Sequence, residues 1–377
     1  MKITSNNVWI NEAFTCATLT IEKGIIKTIA YKKEEEALDY GDLYIIPGMI
    51  ETHTHGHGGG CVIDGEEEVF RKWARELPQE GVTTWLPGLI TAEEDVMCAS
   101  LKAIKTVKDE NIKGAFIHGV HFQAIFHDHN YAGIYDKFLL RKPTVERMKH
   151  YNEVCGGIIK TVAIPSEHDE NHETIKYCVE NNIKVSLGFS GASYEESLKA
   201  IEDGASNVVH CFNCMIGMHH RSPNLPVAAM VDDRVFSEVM ADGVHVHPAI
   251  ITLVGKMKGK DRLITVTDSS YVKGLGVGIH HLPERDIEIK EDGSVIWCEN
   301  GKLGGSTITM IKNVENLQKL GKLDLVTAIN AATINPARFL GIDDYKGLIK
   351  ENYQADLAIY NDKYEIVQTY VNGETML

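Results

Sequence analysis

Pro47-Gly48-Met49-Ile50-Glu51-Thr52-His53-Thr54-His55-Gly56 is the stretch that sets the architecture of this chain. An apolar run, Leu43–Ile50, leads into it, and a turn rich in glycine (Gly56, Gly58, Gly59, Gly60) follows. Residues two apart in an extended segment point the same way. His53 and His55 can therefore share one face at the end of a buried strand. Imidazole is the commonest metal ligand, so the pair reads as part of a cation site. Two solvent-facing histidines are the alternative.

Outward from that stretch, apolar strand-like runs alternate with helical patterns. The runs are Leu43–Ile50, Gly81–Leu89, Lys113–Gln123, Ile158–Pro165, Ile183–Ser190, Asn207–Asn213, Phe236–Val246 and Leu263–Asp268. Helical spacing occupies Glu66–Glu80, Glu93–Lys108, Asn171–Asn181, Tyr194–Asp203 and Ala249–Lys258. Eight such alternations predict an α/β fold, a closed (β/α)8 TIM-type barrel, over a doubly wound sheet. Short strands at both ends (Val8–Ile10, Thr18–Ile21, Gly24–Ile29, then Ala355–Tyr360 and Ile366–Val371) are too few on either side to bury a face alone. They predict a small β-sandwich domain formed by residues 1–46 with 350–377, around a barrel spanning 47–349.

In such a barrel the C-terminal strand ends form the catalytic face, and the informative polar residues fall there. Strand eight ends at Asp268, which could bind a metal ion and take a proton from water bound to it; a helix N-cap is the other reading. Strand six carries His210, a third ligand or a satisfied core histidine. Arg221, beside His219 and His220, and the pair His245 and His247 follow. An arginine fork among imidazoles suits a phosphate; a basic surface loop is the plain alternative.

The formal net charge of -15, from 53 acidic and 38 basic side chains, argues against nucleic acid or anionic membrane, since both reward clustered Lys and Arg. The first residues lack the apolar core of a signal peptide, and no run approaches the roughly 18 apolar residues of a membrane span. Eight cysteines lie scattered, with Cys211 and Cys214 in a lone CxxC that reads as packing or pocket lining. The reducing cytoplasm is the expected compartment.

Taken jointly, PGMIETHTHG (47–56), GVTTWLPGLIT (81–91), GVHF (119–122), the run 193–215, HHRSP (219–223), ADGVHVHP (241–248), ITVTDS (264–269), LGGSTITM (303–310), NPARFLGI (335–342) and ADLAIY (355–360) resemble the N-acetylglucosamine-6-phosphate deacetylase family of the amidohydrolase superfamily, over nearly the whole chain. The resemblance implies metal-dependent hydrolysis of the acetamide of an N-acetylhexosamine 6-phosphate, with Asp268 as general base and acid. His210 would be a metal ligand, and His53 and His55 would match members with a second metal position. Arg221, His245 and the backbone near Asn213 and Cys214 would hold the sugar phosphate. A homodimer is implied, with part of the phosphate site supplied by the partner.

Three departures accompany the match. Where the family has a ligating Glu after strand three, this chain has Gln123; where it has a ligating His after strand five, it has Phe189; a substrate-contacting His becomes Tyr135 in Gly133-Ile134-Tyr135. Gln123 offers only a neutral carbonyl oxygen, a weak ligand. The expected cation, zinc first and otherwise iron, manganese or cobalt, therefore moves to His53, His55 and Asp268, with or without His210. His121, His127 and His129 are candidate substitutes. Hydrolysis of a different amide or cyclic amide, and a catalytically silent sugar-phosphate binder, are the other functional readings.

Overall fold

A computed structural model describes residues 1–110, 112–281, 286–299 and 301–377. Among the described residues, eight parallel segments close into a barrel: Met49–Thr54, Val82–Ile90, Val120–Ala124, Ile159–Ile164, Lys184–Leu187, Asn207–Val208, Phe236–Val239 and Leu263–Thr265. They are called barrel strands one to eight. Neighbours pair in parallel around the ring. Closure comes from strand one against the segment after strand eight, where Asp268 N donates to His53 O at 2.9 Å and His55 N to Ser269 O at 2.8 Å. Strand two is buried at every position but its last, as expected when helices cover one face and the barrel interior the other.

Both chain ends join one further sheet. It runs Glu374–Thr375, Ile366–Val371, Leu357–Tyr360, Tyr44–Pro47, Lys2–Ile10, Ala13–Glu22 and Ile25–Ala30, with Leu38–Asp39 beside Lys2–Ile10. Leu357 lies opposite Pro47, and Tyr360 opposite Tyr44. Ile3, Leu19, Ile26, Leu357 and Tyr370 form its core.

The predicted strand Leu43–Ile50 thus divides. Tyr44–Pro47 belongs to the terminal sheet and Met49–Thr54 to the barrel. Gly48 makes the passage possible, because a Cβ there would lie 2.3 Å from Thr83 Oγ1. Lys113–Gln123 likewise breaks into Phe116–Ile117 and Val120–Ala124. Asn207–Asn213 and Phe236–Val246 are extended only over their first residues.

Sequence reading missed a four-stranded antiparallel sheet, Gly278–His281, Asp286–Ile289, Ser294–Trp297 and Leu303–Ser306, inserted after strand eight. It hangs over the catalytic face. Among the described residues no helix is long and apolar enough to cross a membrane.

One buried ion pair ties this end of the barrel together. Lys273 Nζ lies 2.6 Å from Glu80 Oε2, both almost solvent-free, and the same oxygen accepts from Met310 N at 3.2 Å. Removing one partner strands a buried charge. Lys273→Met should lower the unfolding free energy by about 3–5 kcal/mol, measured by urea titration.

Candidate active site

The first strand delivers its two imidazoles in fixed orientations. His53 Nδ1 lies 2.8 Å from Glu238 Oε2, a carboxylate 1% exposed on strand seven. His55 Nδ1 lies 2.6 Å from the carbonyl oxygen of Gly88. Since a carboxylate and a carbonyl only accept, each Nδ1 carries a proton and each Nε2 is the ring atom turned toward Asp268. Both Nε2 atoms are buried with no hydrogen-bond partner. They approach Asp268 Oδ1, at 3.6 Å from His53 and 3.2 Å from His55.

His210 comes from the turn after strand six. The run Asn207–Asn213 reads as strand, but the backbone leaves the extended region at His210 (φ 29°) and Phe212 (φ 79°), and again at Cys214 (φ 50°) just beyond it. Asp268 also has positive φ, 45°, a conformation that costs energy away from glycine and persists only where surrounding structure enforces it. These turns bring ligand atoms of His53, His210 and Asp268 within 4.8 Å of one another. His210 therefore joins His53 and Asp268 in one cluster.

His121, on strand three, packs its ring 4.8 Å from that of His53, and His210 packs at 5.4 Å. His121 Nδ1 is 2.6 Å from Thr161 Oγ1, while its Nε2, His210 Nδ1 and Gln123 Oε1 are buried without partners. Five orphaned acceptor-capable atoms around one carboxylate are far outside the usual satisfaction of buried polar groups. Imidazole nitrogens with a carboxylate are the donor set of a divalent transition cation. The residues fit such an ion.

Without a cation, the charges of the cluster set its protonation. Burial disfavours charge on His53, yet Asp268 and Glu238 outweigh it and raise this imidazole to about 9. Burial also works against the Asp268 carboxylate, but His53, His55 and His210 hold it well below the usual range. Burial pushes His210 down to about 4 and His121 well below the ordinary histidine value. Cys214 is driven up to about 12, again by burial.

Phe189 takes the place after strand five. It is 1% exposed, stacks on His127 with centroids 3.7 Å apart, and stands edge-on to His210 at 4.7 Å. Ala124, Ala163 and Val209 complete an apolar block on that side. His127 thus lies behind Phe189, and His129 is exposed; of the three candidate substitutes, the structure brings only His121 to the cluster.

Above the cluster opens a cavity of about 680 Å³, lined among others by His55, Gln123, Tyr135, His210, Asn213, Cys214, His245 and Asp268. His245 is held by Asp242, Nδ1 to Oδ2 2.6 Å. Burial lowers the His245 pKa, but the hydrogen bond and charge of Asp242 leave it raised overall. Arg221 is not brought into the cavity of its own chain. It lies on an exposed loop, with Nη1 2.7 Å from His220 Nε2. Sequence reading missed Glu238, whose signal was a carboxylate inside the strand Phe236–Val239. It also missed the contribution of the inserted sheet, through Trp297, Lys302 and Leu303.

Gly88 is a sensitive point: a Cβ there would lie 2.7 Å from His55 Cε1 and 2.8 Å from Nδ1. Gly88→Ala should displace the His55 ring and weaken cation affinity by about 10–100-fold, the usual effect of disturbing a ligand's support, with little change in far-ultraviolet circular dichroism. Calorimetric titration with zinc measures it.

Residues 44–376 match the sequence model of the amidohydrolase family. The chain is 30% identical to the N-acetylglucosamine-6-phosphate deacetylase of Bacillus subtilis (strain 168), over 96% of this chain and 93% of that one. It is 30% identical to the N-acetylgalactosamine-6-phosphate deacetylase of Escherichia coli O157:H7, over 88% and 87%. In fold it is similar to the crystal structure of the N-acetyl-D-glucosamine-6-phosphate deacetylase of Mycobacterium smegmatis, with a TM-score of 0.93, 24% identity and full coverage of both chains.

Proposed function

Since this chain belongs to the amidohydrolase family, we propose that it hydrolyses the acetamide of an N-acetylhexosamine 6-phosphate, using a divalent cation, zinc first, held by His53, His55, His210 and Asp268. The observation that carries the reading is the convergence of these four side chains beneath a cavity at the catalytic face. A cation bound there supplies Lewis-acid polarisation and makes water more acidic. Glu238 and the Gly88 carbonyl hold His53 and His55 with Nε2 turned to the ligand side.

Asp268 is the general base and acid. Ionised, and at the cavity floor, it accepts a proton from the attacking water. The hydroxyl adds to the acyl carbon, the C–N bond breaks, and the proton passes from Asp268 to the leaving nitrogen. Acetate and an amino-sugar phosphate result. Asn213, Cys214, His245 and Tyr135 line the substrate's path. Arg221 would reach a phosphate only from a second copy, so the proposal includes a homodimer, in the cytoplasm; sedimentation measures the assembly.

The position of Arg221 outside its own cavity favours one second reading, hydrolysis of an amide without a phosphate. Acetate release from N-acetylglucosamine 6-phosphate, N-acetylgalactosamine 6-phosphate and their unphosphorylated sugars, with zinc, iron, manganese or cobalt supplied, separates the two. Turnover of a phosphorylated sugar supports the proposal. Turnover only of the unphosphorylated amides supports the second reading, and turnover of none contradicts both.

A further inference from the structure

Another set of ligand atoms lies outside the barrel strands, on two of the helices that cover them. Glu94 and Cys98 stand one turn apart on the helix Glu94–Asp109, and His150 meets them from the helix Val145–Val154. Residues four apart on a helix share a face, so one imidazole can reach both the carboxylate and the thiol. His150 Nε2 lies 3.8 Å from Cys98 Sγ and 3.3 Å from Glu94 Oε1. Ligand atoms of all three side chains lie within 4.8 Å of one another.

Those separations are close to the edges of a zinc tetrahedron. Bonds of about 2.3 Å to sulfur, 2.0 Å to nitrogen and 2.1 Å to oxygen put sulfur about 3.5 Å and oxygen about 3.3 Å from the nitrogen. The carboxylate is held in place as well. Tyr151, 1% exposed, donates its hydroxyl to Glu94 Oε2 at 2.6 Å, and Arg141 Nε approaches the same oxygen at 3.5 Å. Both occupy Oε2, which leaves Oε1 to the side of His150. Supports of this kind fix a ligand's direction. A thiolate beside an imidazole suits zinc and does not suit magnesium or calcium.

We propose that Glu94, Cys98 and His150 form a second cation site, for zinc, that clamps these two helices together, with solvent water as the fourth ligand. Glu94 and His150 are half exposed, so water has access. On binding, the Cys98 S–H bond breaks, its proton passes to solvent and the electron pair goes to the metal. No oxidation state changes. Burial first, and then the Glu94 charge, raise the free thiol above its usual value, so the thiolate forms together with the metal bond. Arg141 joins the clamp to the cavity rim. Its Nη1 donates to Leu139 O at 2.8 Å and its Nη2 to Ala92 O at 2.9 Å, and both of those residues line the cavity.

Cadmium, a softer ion that enters zinc sites, is the probe, because a cadmium–thiolate bond gives an ultraviolet charge-transfer band. Cadmium titrated into the native chain should develop that band. Cys98→Ser should abolish it, and His150→Ala should weaken the titration at least roughly a hundredfold, beyond the effect of losing a supporting group. His53→Ala should keep it. Equilibrium dialysis with zinc should count one equivalent fewer per chain in Cys98→Ser and in His150→Ala than in the native chain, with unchanged far-ultraviolet circular dichroism. Absence of the band in the native chain, a band unchanged in Cys98→Ser, or equal zinc counts in the native chain and both variants overturns the proposal. The difference in counts holds whether or not the barrel site takes zinc or cleaves an amide, so a failure of the hydrolysis and a failure of the clamp are read separately.

Discussion

Asp268→Asn should reduce turnover by about 10⁴-fold, the upper range for removing a positioned general base and acid. An amide oxygen can still approach the His53 and His55 nitrogens, but it neither accepts the water proton nor returns one to the leaving amine. The loss should fall on kcat with KM nearly constant, since the side chain keeps its volume and its backbone bonds to His53 and Ser306. Stability should change little. Steady-state kinetics with saturating cation checks the claim; a variant within tenfold of the native rate would remove Asp268 from the chemistry.

His53→Ala should act differently. Removing this imidazole takes away a ligand and also the hydrogen-bond donor of Glu238, a carboxylate with almost no solvent contact. Asn207 Nδ2 at 2.8 Å and the His210 amide at 3.3 Å remain to it. Cation affinity should fall at least roughly a hundredfold, beyond the effect of losing a supporting group. Unfolding free energy should fall by about 3 kcal/mol, as for a buried charge losing its partner. Turnover falls with occupancy, so excess zinc should restore part of it, which it cannot do for Asp268→Asn. Metal titration and thermal unfolding read the two effects separately.

The barrel was legible because its signals are redundant. Several strands read as unbroken apolar runs, and the HxH pair at 53 and 55 marks where the first one ends. Asp268 follows from the same logic at the eighth. The inserted sheet was not legible: Leu303–Ser306 contains two glycines and reads as loop, and Gly278–His281 alternates half-buried with exposed positions without an apolar face.

At the site, sequence could name the atoms available to a cation but not their supports. Glu238 lies 185 residues from His53, and its pairing depends on barrel closure. The positive φ at His210 could not be foreseen from an apolar run. Phe189 read simply as a missing ligand, whereas its stacking on His127 shows a site filled by an aromatic pair. That packing is why His127 stays behind the apolar block while His121 reaches the cluster.

The most direct test of the central claim is the position of the cation. Crystals of the native chain grown with zinc, measured at the zinc absorption edge, should give an anomalous peak bonded to His53, His55, His210 and Asp268. A peak held by Gln123 and His210 and remote from His53 and His55, or no peak in zinc-saturated protein, would contradict the account.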